Sequence, residues 1–268
     1  MAVYKKYMKS LLGLQNSMEY RTDFFIDMLS GIFAVVIQCF LWTVIFNSSS
    51  SDNVYGYTYE QLITYTILAG VVAKLLSTGF ENVIAADIKD GGLSKFLVQP
   101  IGYFQYRVFC FIGQKISQIA FLLLIVAAML LTSKYALNFQ MEMSLPFLAL
   151  LPLFLSAVLN FLIFYCVSTI AFWMLDVSML FWGINLLTLI LSGAIFPLDI
   201  FGERWLRVME YLPFTYTAYF SLNVLTGKVI GNTIVEGIVV QLIWICIFGV
   251  LSAGLWRMGM KKYVAVGG

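Results

Sequence analysis

The chain has 268 residues, of which 61% are hydrophobic and only 11% charged, and its mean hydropathy is +0.91. A water-soluble domain is roughly half apolar and about a quarter charged, so this chain lacks the polar surface to cover a soluble body. The net charge of +2 excludes an electrostatic nucleic-acid binder and leaves an integral membrane protein.

The first stretch, residues 1–22, has an amphipathic rhythm. Tyr4, Tyr7, Met8, Leu11 and Leu12 follow helical spacing, and Lys5, Lys6 and Lys9 lie on the other side. Such a helix lies flat at the headgroup level. A spanning helix needs about 20 mostly apolar residues. Six runs qualify, at Phe24–Phe46, Glu60–Phe80, Phe104–Leu131, Leu145–Ile170, Met179–Phe196 and Thr233–Trp256. The first starts too far in, and is too long, for a signal-peptide apolar region of roughly 7–15 residues. The unbroken run Phe121–Leu131 excludes the alternating pattern of a membrane β-barrel.

Charge orients the spans. Twelve of the sixteen basic residues lie before the first span, around the second-to-third connection, or after the last. By the positive-inside rule these parts, and both termini, face the cytoplasm. An even number of spans requires the same. Lys74, in the inner half of the second span, is expected to snorkel to the interface.

The connection between the second and third spans carries Val83, Ile84, Ile88 and Leu93 at helical spacing among charges. Gly91-Gly92 follow, a helix stop of the kind glycine commonly provides. A short, amphipathic cytoplasmic helix is expected there. Pro146 and Pro152 predict a late start or a kink in the fourth span. Between the fifth and sixth spans, about Leu198–Asn232, the chain is too apolar for a free loop and too charged for a span. Short helices dipping into the outer leaflet fit it. The four cysteines, Cys39, Cys110, Cys166 and Cys246, show no pairing pattern and fit an apolar core. The whole is one domain, 1–268, with spans over 24–256 and a tail at 257–268.

The absent motifs narrow the chemistry. The chain has no histidine, which removes a Ser-His triad and a histidine proton relay. It has no phosphate loop and no G-x-S-x-G, so neither ATP hydrolysis nor esterase chemistry is its own. No acidic residue falls convincingly at the bilayer midplane, where an ion-coupled transporter keeps one. A membrane path without an energy source points to a partner that supplies energy. The alternative is an ion-coupled secondary transporter or channel, with Lys74 and Lys115 as its intramembrane charges.

Three stretches carry a resemblance: the amphipathic leader; Asp90-Gly-Gly-Leu-Ser-Lys-Phe-Leu-Val-Gln-Pro-Ile101; and Leu191-Ser-Gly-Ala-Ile-Phe-Pro197 through Trp205-Leu-Arg207 and Tyr211-Leu-Pro-Phe-Thr-Tyr216. In this order they resemble permease subunits of ABC transporters of the type-2 exporter class. The resemblance implies an all-α, six-span permease that forms half of a translocation path. It also implies two copies of a cytoplasmic ABC ATPase, with ATP and Mg bound there and no cofactor or metal on this chain. A second permease is implied too, a heterodimer being favoured over a homodimer. The cytoplasmic helix becomes a coupling helix to the ATPase, formed by Glu81, Ile84, Asp87, Ile88, Lys89, Asp90, Gly91 and Gly92. The segment between spans five and six becomes a re-entrant outer gate, with Pro197, Trp205, Tyr211, Pro213, Phe214 and Tyr216. Candidate cavity-lining residues are Gln38, Asn160, Asn185 and Thr188. The implied location is the cell (inner) membrane, and the implied direction is outward.

Overall fold

The computed structural model describes residues 21–49, 53–98, 102–132, 146–174 and 176–263. The amphipathic leader, the Pro100-Ile101 step and the last five residues lie outside these. Among the described residues the fold is all-helical, with no strand and a single isolated bridge between Val54 and Tyr57.

Helix α1 spans Arg21–Ser48. Helix α2, Tyr59–Leu76, opens on a capping box: the Gln61 backbone N–H donates to Thr58 Oγ1, and the Thr58 N–H donates to Gln61 Oε1. The apolar run does not continue to Phe80 as its hydropathy predicts. It breaks at Ser77–Gly79, and a separate helix, α3, covers Phe80–Lys89. The break stands because side chains from neighbouring helices take over the freed carbonyls, as described below. Gly91 follows α3 with φ of +76°, the left-handed conformation expected of a glycine stop. A single turn, α4 (Ser94–Leu97), leads towards the 30-residue helix α5, Tyr103–Thr132.

Helix α6 runs Pro146–Thr169, and the residues just before it lie outside the described ones. Pro152 sits inside α6 without ending it. A 3₁₀ turn, Ile170–Phe172, closes it. Helix α7 is shorter than its apolar run: Ser178–Leu191, 14 residues. At 1.5 Å per residue that is about 21 Å, against a hydrocarbon thickness of about 30 Å. The expected span to Phe196 stops early because Gly193 turns with φ of +71° and its carbonyl accepts the Tyr65 hydroxyl at 2.7 Å. Three short pieces follow the 3₁₀ turn Leu198–Phe201: α8 (Glu203–Met209), a 3₁₀ turn (Pro213–Tyr216) and α9 (Tyr219–Leu225). The last helix, α10, covers Asn232–Met260, four residues past the expected Trp256.

Among the described residues, four stretches are long and apolar enough to cross a membrane: Leu29–Ser48, Tyr59–Lys89, Phe147–Phe172 and Asn232–Met260. The other two expected spans fall on α5 and α7. Large apolar side chains face outward along whole helices, Ile26, Leu29, Phe33, Phe40 and Val44 on α1 and Val235, Val239, Ile243 and Val250 on α10. In water such a surface would drive aggregation, whereas in lipid it costs nothing.

The interior holds two main clusters. One joins α3, α5, α6 and α7 through Ile84, Ile88, Phe111, Phe161, Phe164 and Phe181. The other joins α2 to α9 through Tyr65, Val72, Leu198, Phe220 and Leu222. The most extensive helix pair is α6 with α10. Gly237 of α10 lets α9 pack closely, since a Cβ on it would overlap the Phe220 ring. The α10 N-terminal part meets the Pro213–Tyr216 turn and its C-terminal part meets the Ile170–Phe172 turn, so the bundle has two distinct ends.

Candidate functional site

At one end, α3 lies across α6 and the Ile170–Phe172 turn. Its inner face buries Phe80, Glu81, Ile84, Ala85 and Ile88. Its outer face is Asn82, Val83, Ala86 and Asp90. The sequence-predicted set is therefore split. Ile84, Ile88 and Glu81 are core. Asp90 is exposed, and Lys89, Gly91 and Gly92 are half-buried. Asn82, Val83 and Ala86 are surface residues that sequence reasoning left out. Only the direction of the helix face separates the two groups.

Asp87 is not a free surface charge. Arg107, 8% exposed, donates Nη2 to Asp87 Oδ2, and Tyr103 donates its hydroxyl to the same oxygen at 2.8 Å. Arg107 Nε also donates to the Tyr103 hydroxyl at 2.9 Å. Lys95 stands 3.9 Å from Asp87 Oδ1 but is largely exposed. Gly92 makes the fit possible, because a Cβ there would meet Asp87 Oδ1 at 2.6 Å. From this triad an aromatic stack continues: Tyr103 lies on Trp256 of α10 at 5.0 Å and 10°, and Trp256 meets Phe172 at 5.4 Å. Thus α3, α5 and α10 are tied at one point. The available signal was a charge, Arg107, in the first turns of a long apolar helix.

Between α2, α6 and α7 lies a cavity of about 150 Å³. Asn160, Asn185 and Thr188, three of the four expected cavity-lining residues, border it together with Ser77 and Thr78. The fourth, Gln38, is half-buried on α1 and does not. The cavity sits at the break after α2. A helix C-terminus leaves carbonyls without intrahelical partners. Here Asn160 Nδ2 donates to Leu76 O at 2.5 Å, and Lys115 Nζ donates to Ser77 O at 2.5 Å and to Gln118 Oε1 at 2.7 Å. The Lys115 cation also suits the negative end of the helix dipole. Ser168, Thr169 and Asn185 bond back to carbonyls of their own helices.

At the other end, a polar latch joins three separate connections. Tyr57 donates to Asp199 Oδ2 at 2.5 Å, and Lys228 reaches the same oxygen at 2.8 Å and the Tyr57 hydroxyl at 2.5 Å. Burial alone would raise the Asp199 carboxyl. Hydrogen bonds from Lys228, Tyr57 and Tyr219 outweigh it and hold the group below the usual carboxylate range. Burial and the hydrogen bond to Asp199 push the Tyr57 hydroxyl well up, so it stays a donor. Gln241, fully buried on α10, donates to Pro152 O, Ser156 Oγ and Tyr216 O, pinning the Pro213–Tyr216 turn onto α6. The expected gate residues divide here. Pro197 and Pro213 are buried and Phe214 and Tyr216 half-buried, while Trp205 and Tyr211 are exposed.

Among the described residues, an all-helical fold with helices long and apolar enough to cross a membrane, and polar groups buried between them, is that of a multi-pass membrane protein. Residues 32–267 match the family described as "ABC-2 family transporter protein", and the chain belongs to that family. It is therefore a permease subunit of an ABC transporter, a transport subunit and not itself a catalyst, and such permeases work with ATPase subunits. No curated protein and no solved structure matches it.

Proposed function

We propose that this chain is half of the translocation path of an ATP-driven exporter, with α3 as its coupling helix. Two ATPase subunits carrying ATP and Mg dock at the α3 end, on the cytoplasmic side, where both termini also lie. A second permease, a related chain in preference to a copy of this one, completes the path. The six spans are α1, α2, α5, α6, α7 and α10, set in the cell membrane. The pieces from Leu198 to Leu225 dip back from the outer side and close the path above.

The observation that carries this reading is the arrangement of α3. It is short and amphipathic, presents Asn82, Val83, Ala86 and Asp90 outward, and is bolted through Asp87 to Arg107 of α5. A push on α3 is thus delivered to α5 and, through the Tyr103–Trp256 stack, to α10. Interior packing transmits such displacements because it is dense. The positive-inside bias supports the orientation, since this end carries the excess of lysine and arginine.

The test uses Val83→Glu and Asp90→Lys, both on the exposed face, in the assembled transporter. Each variant should fold and insert normally yet lose co-purification of the ATPase and transport. Transport at the unaltered rate in both variants would remove the coupling role from α3.

A further inference from the structure

The cavity between α2, α6 and α7 has a chemistry of its own. Asn160 lies near the middle of α6 and is 3% exposed. Asn160 borders the cavity; its Nδ2 is committed to Leu76 O, and its Oδ1 is a buried acceptor to which no group among the described residues donates. Thr78 and Thr188 border the same cavity, and their Oγ1 atoms are likewise buried without a partner among the described residues. Buried polar atoms are nearly always satisfied, and three orphans on one cavity call for a specific account. Uncharged polar side chains between membrane helices ordinarily hydrogen-bond across them, and these three atoms do not among the described residues.

The charge pattern then selects the ligand. No charged side chain lines the cavity. Lys115 stands behind Ser77 with its ammonium on the Ser77 carbonyl, which disfavours a cation. Asn160 Oδ1 disfavours an anion, because two acceptors would face each other. The volume of about 150 Å³ is below the roughly 300–1,000 Å³ of pockets for drug-sized molecules. It takes a single ring or a short polar group.

The geometry points to a hydrogen-bonding station for an uncharged hydroxyl or amide N–H group, which donates to Asn160 Oδ1 and exchanges hydrogen bonds with Thr78 and Thr188. Its place on a transport path rests on the permease reading; its chemistry does not. The chain therefore handles amphiphiles with a neutral, hydroxylated or amide head in preference to charged ones.

The experiment uses the full chain in lipid nanodiscs and a diazirine-bearing octanol as photolabel, with its O-methyl ether as the acceptor-only control. Adducts are located by mass spectrometry, and labelling of lipid-facing Phe33 and Val250 normalises for partitioning. The alcohol should label the Asn160 and Leu189 peptides roughly three- to tenfold more than the ether, the scale of one net hydrogen bond. Excess 1-octanol should compete there and not at the lipid face. Asn160→Leu should abolish the preference. Thr188→Val, which keeps the side-chain shape on a half-exposed helix, should weaken it even if Asn160→Leu fails to fold. Equal labelling by alcohol and ether, or competition by octylammonium as strong as by octanol, overturns the proposal. No nucleotide or ATPase is present, so a negative result leaves the permease reading standing. Loss of ATPase coupling in the α3 variants would likewise leave this result untouched.

Discussion

Asp87 sits where sequence reasoning places a docking residue, yet it is bonded inward, and the consequence is measurable. Asp87→Ala strips the only carboxylate from Arg107 among its described contacts and leaves a guanidinium that is 8% exposed. Breaking one side of a buried ion pair costs about 3–5 kcal/mol. The 12% exposure of the Asp87 side chain lets water relieve part of this, so about 3 kcal/mol is expected. Loss of the Tyr103 hydrogen bond is included, at about 1 kcal/mol. Lys95, 60% exposed, contributes almost nothing. Arg107→Met is milder, at about 1 kcal/mol, because Asp87 keeps Tyr103 and partial access to water. In the Arg107→Met background, Asp87→Ala has no orphaned cation to create. It should then cost about 1 kcal/mol, which gives a coupling of about 2 kcal/mol. Reversible unfolding of the purified chain in mixed detergent–SDS micelles, followed by tryptophan fluorescence, measures each corner of the cycle. Asp90→Lys is the control and should lie within about 0.5 kcal/mol of the parent. Additive single costs, or an Asp87→Ala cost below about 1 kcal/mol, would refute the buried-pair argument.

Two further outcomes follow from packing and charge. Gly237→Ala drives a methyl into the Phe220 ring, which is itself 6% exposed, and should cost about 1–3 kcal/mol in the same assay. Adding Phe220→Leu should recover part of that loss, and a double variant no more stable than Gly237→Ala would sink the overlap explanation. The Asp199 carboxyl is held below its unfolded value, so its contribution is present above the ordinary carboxylate pKa of about 3.9 and is lost as the pH falls below it. The stability gap between the parent and Asp199→Asn should thus be level from pH 7 to pH 5 and close only below about pH 4. With Lys228 41% exposed, the gap should not exceed about 1 kcal/mol. A gap that narrows between pH 7 and pH 5 would contradict the assigned sign.

Composition and hydropathy alone determined the class of this protein, because a lipid-facing surface needs long apolar runs that no soluble chain can hide. Local chemistry was legible too: the Gly91 stop after α3 depends on a backbone conformation that glycine adopts by itself. The run Glu60–Phe80 was read as one span and the run to Phe196 as another. Both are cut by partners from distant helices: Asn160 and Lys115 at the end of α2, Tyr65 at Gly193. Hydropathy sums residues along the chain and is blind to a side chain that arrives from elsewhere to satisfy a broken helix end. The same holds for Asp87, whose sequence neighbours make it look like a free surface charge and whose spatial neighbour, Arg107, makes it a bolt. Tertiary structure decided which polar atoms are paired and which, like Asn160 Oδ1, are buried without a donor among the described residues, since pairing is fixed by distances across helices that periodicity does not encode.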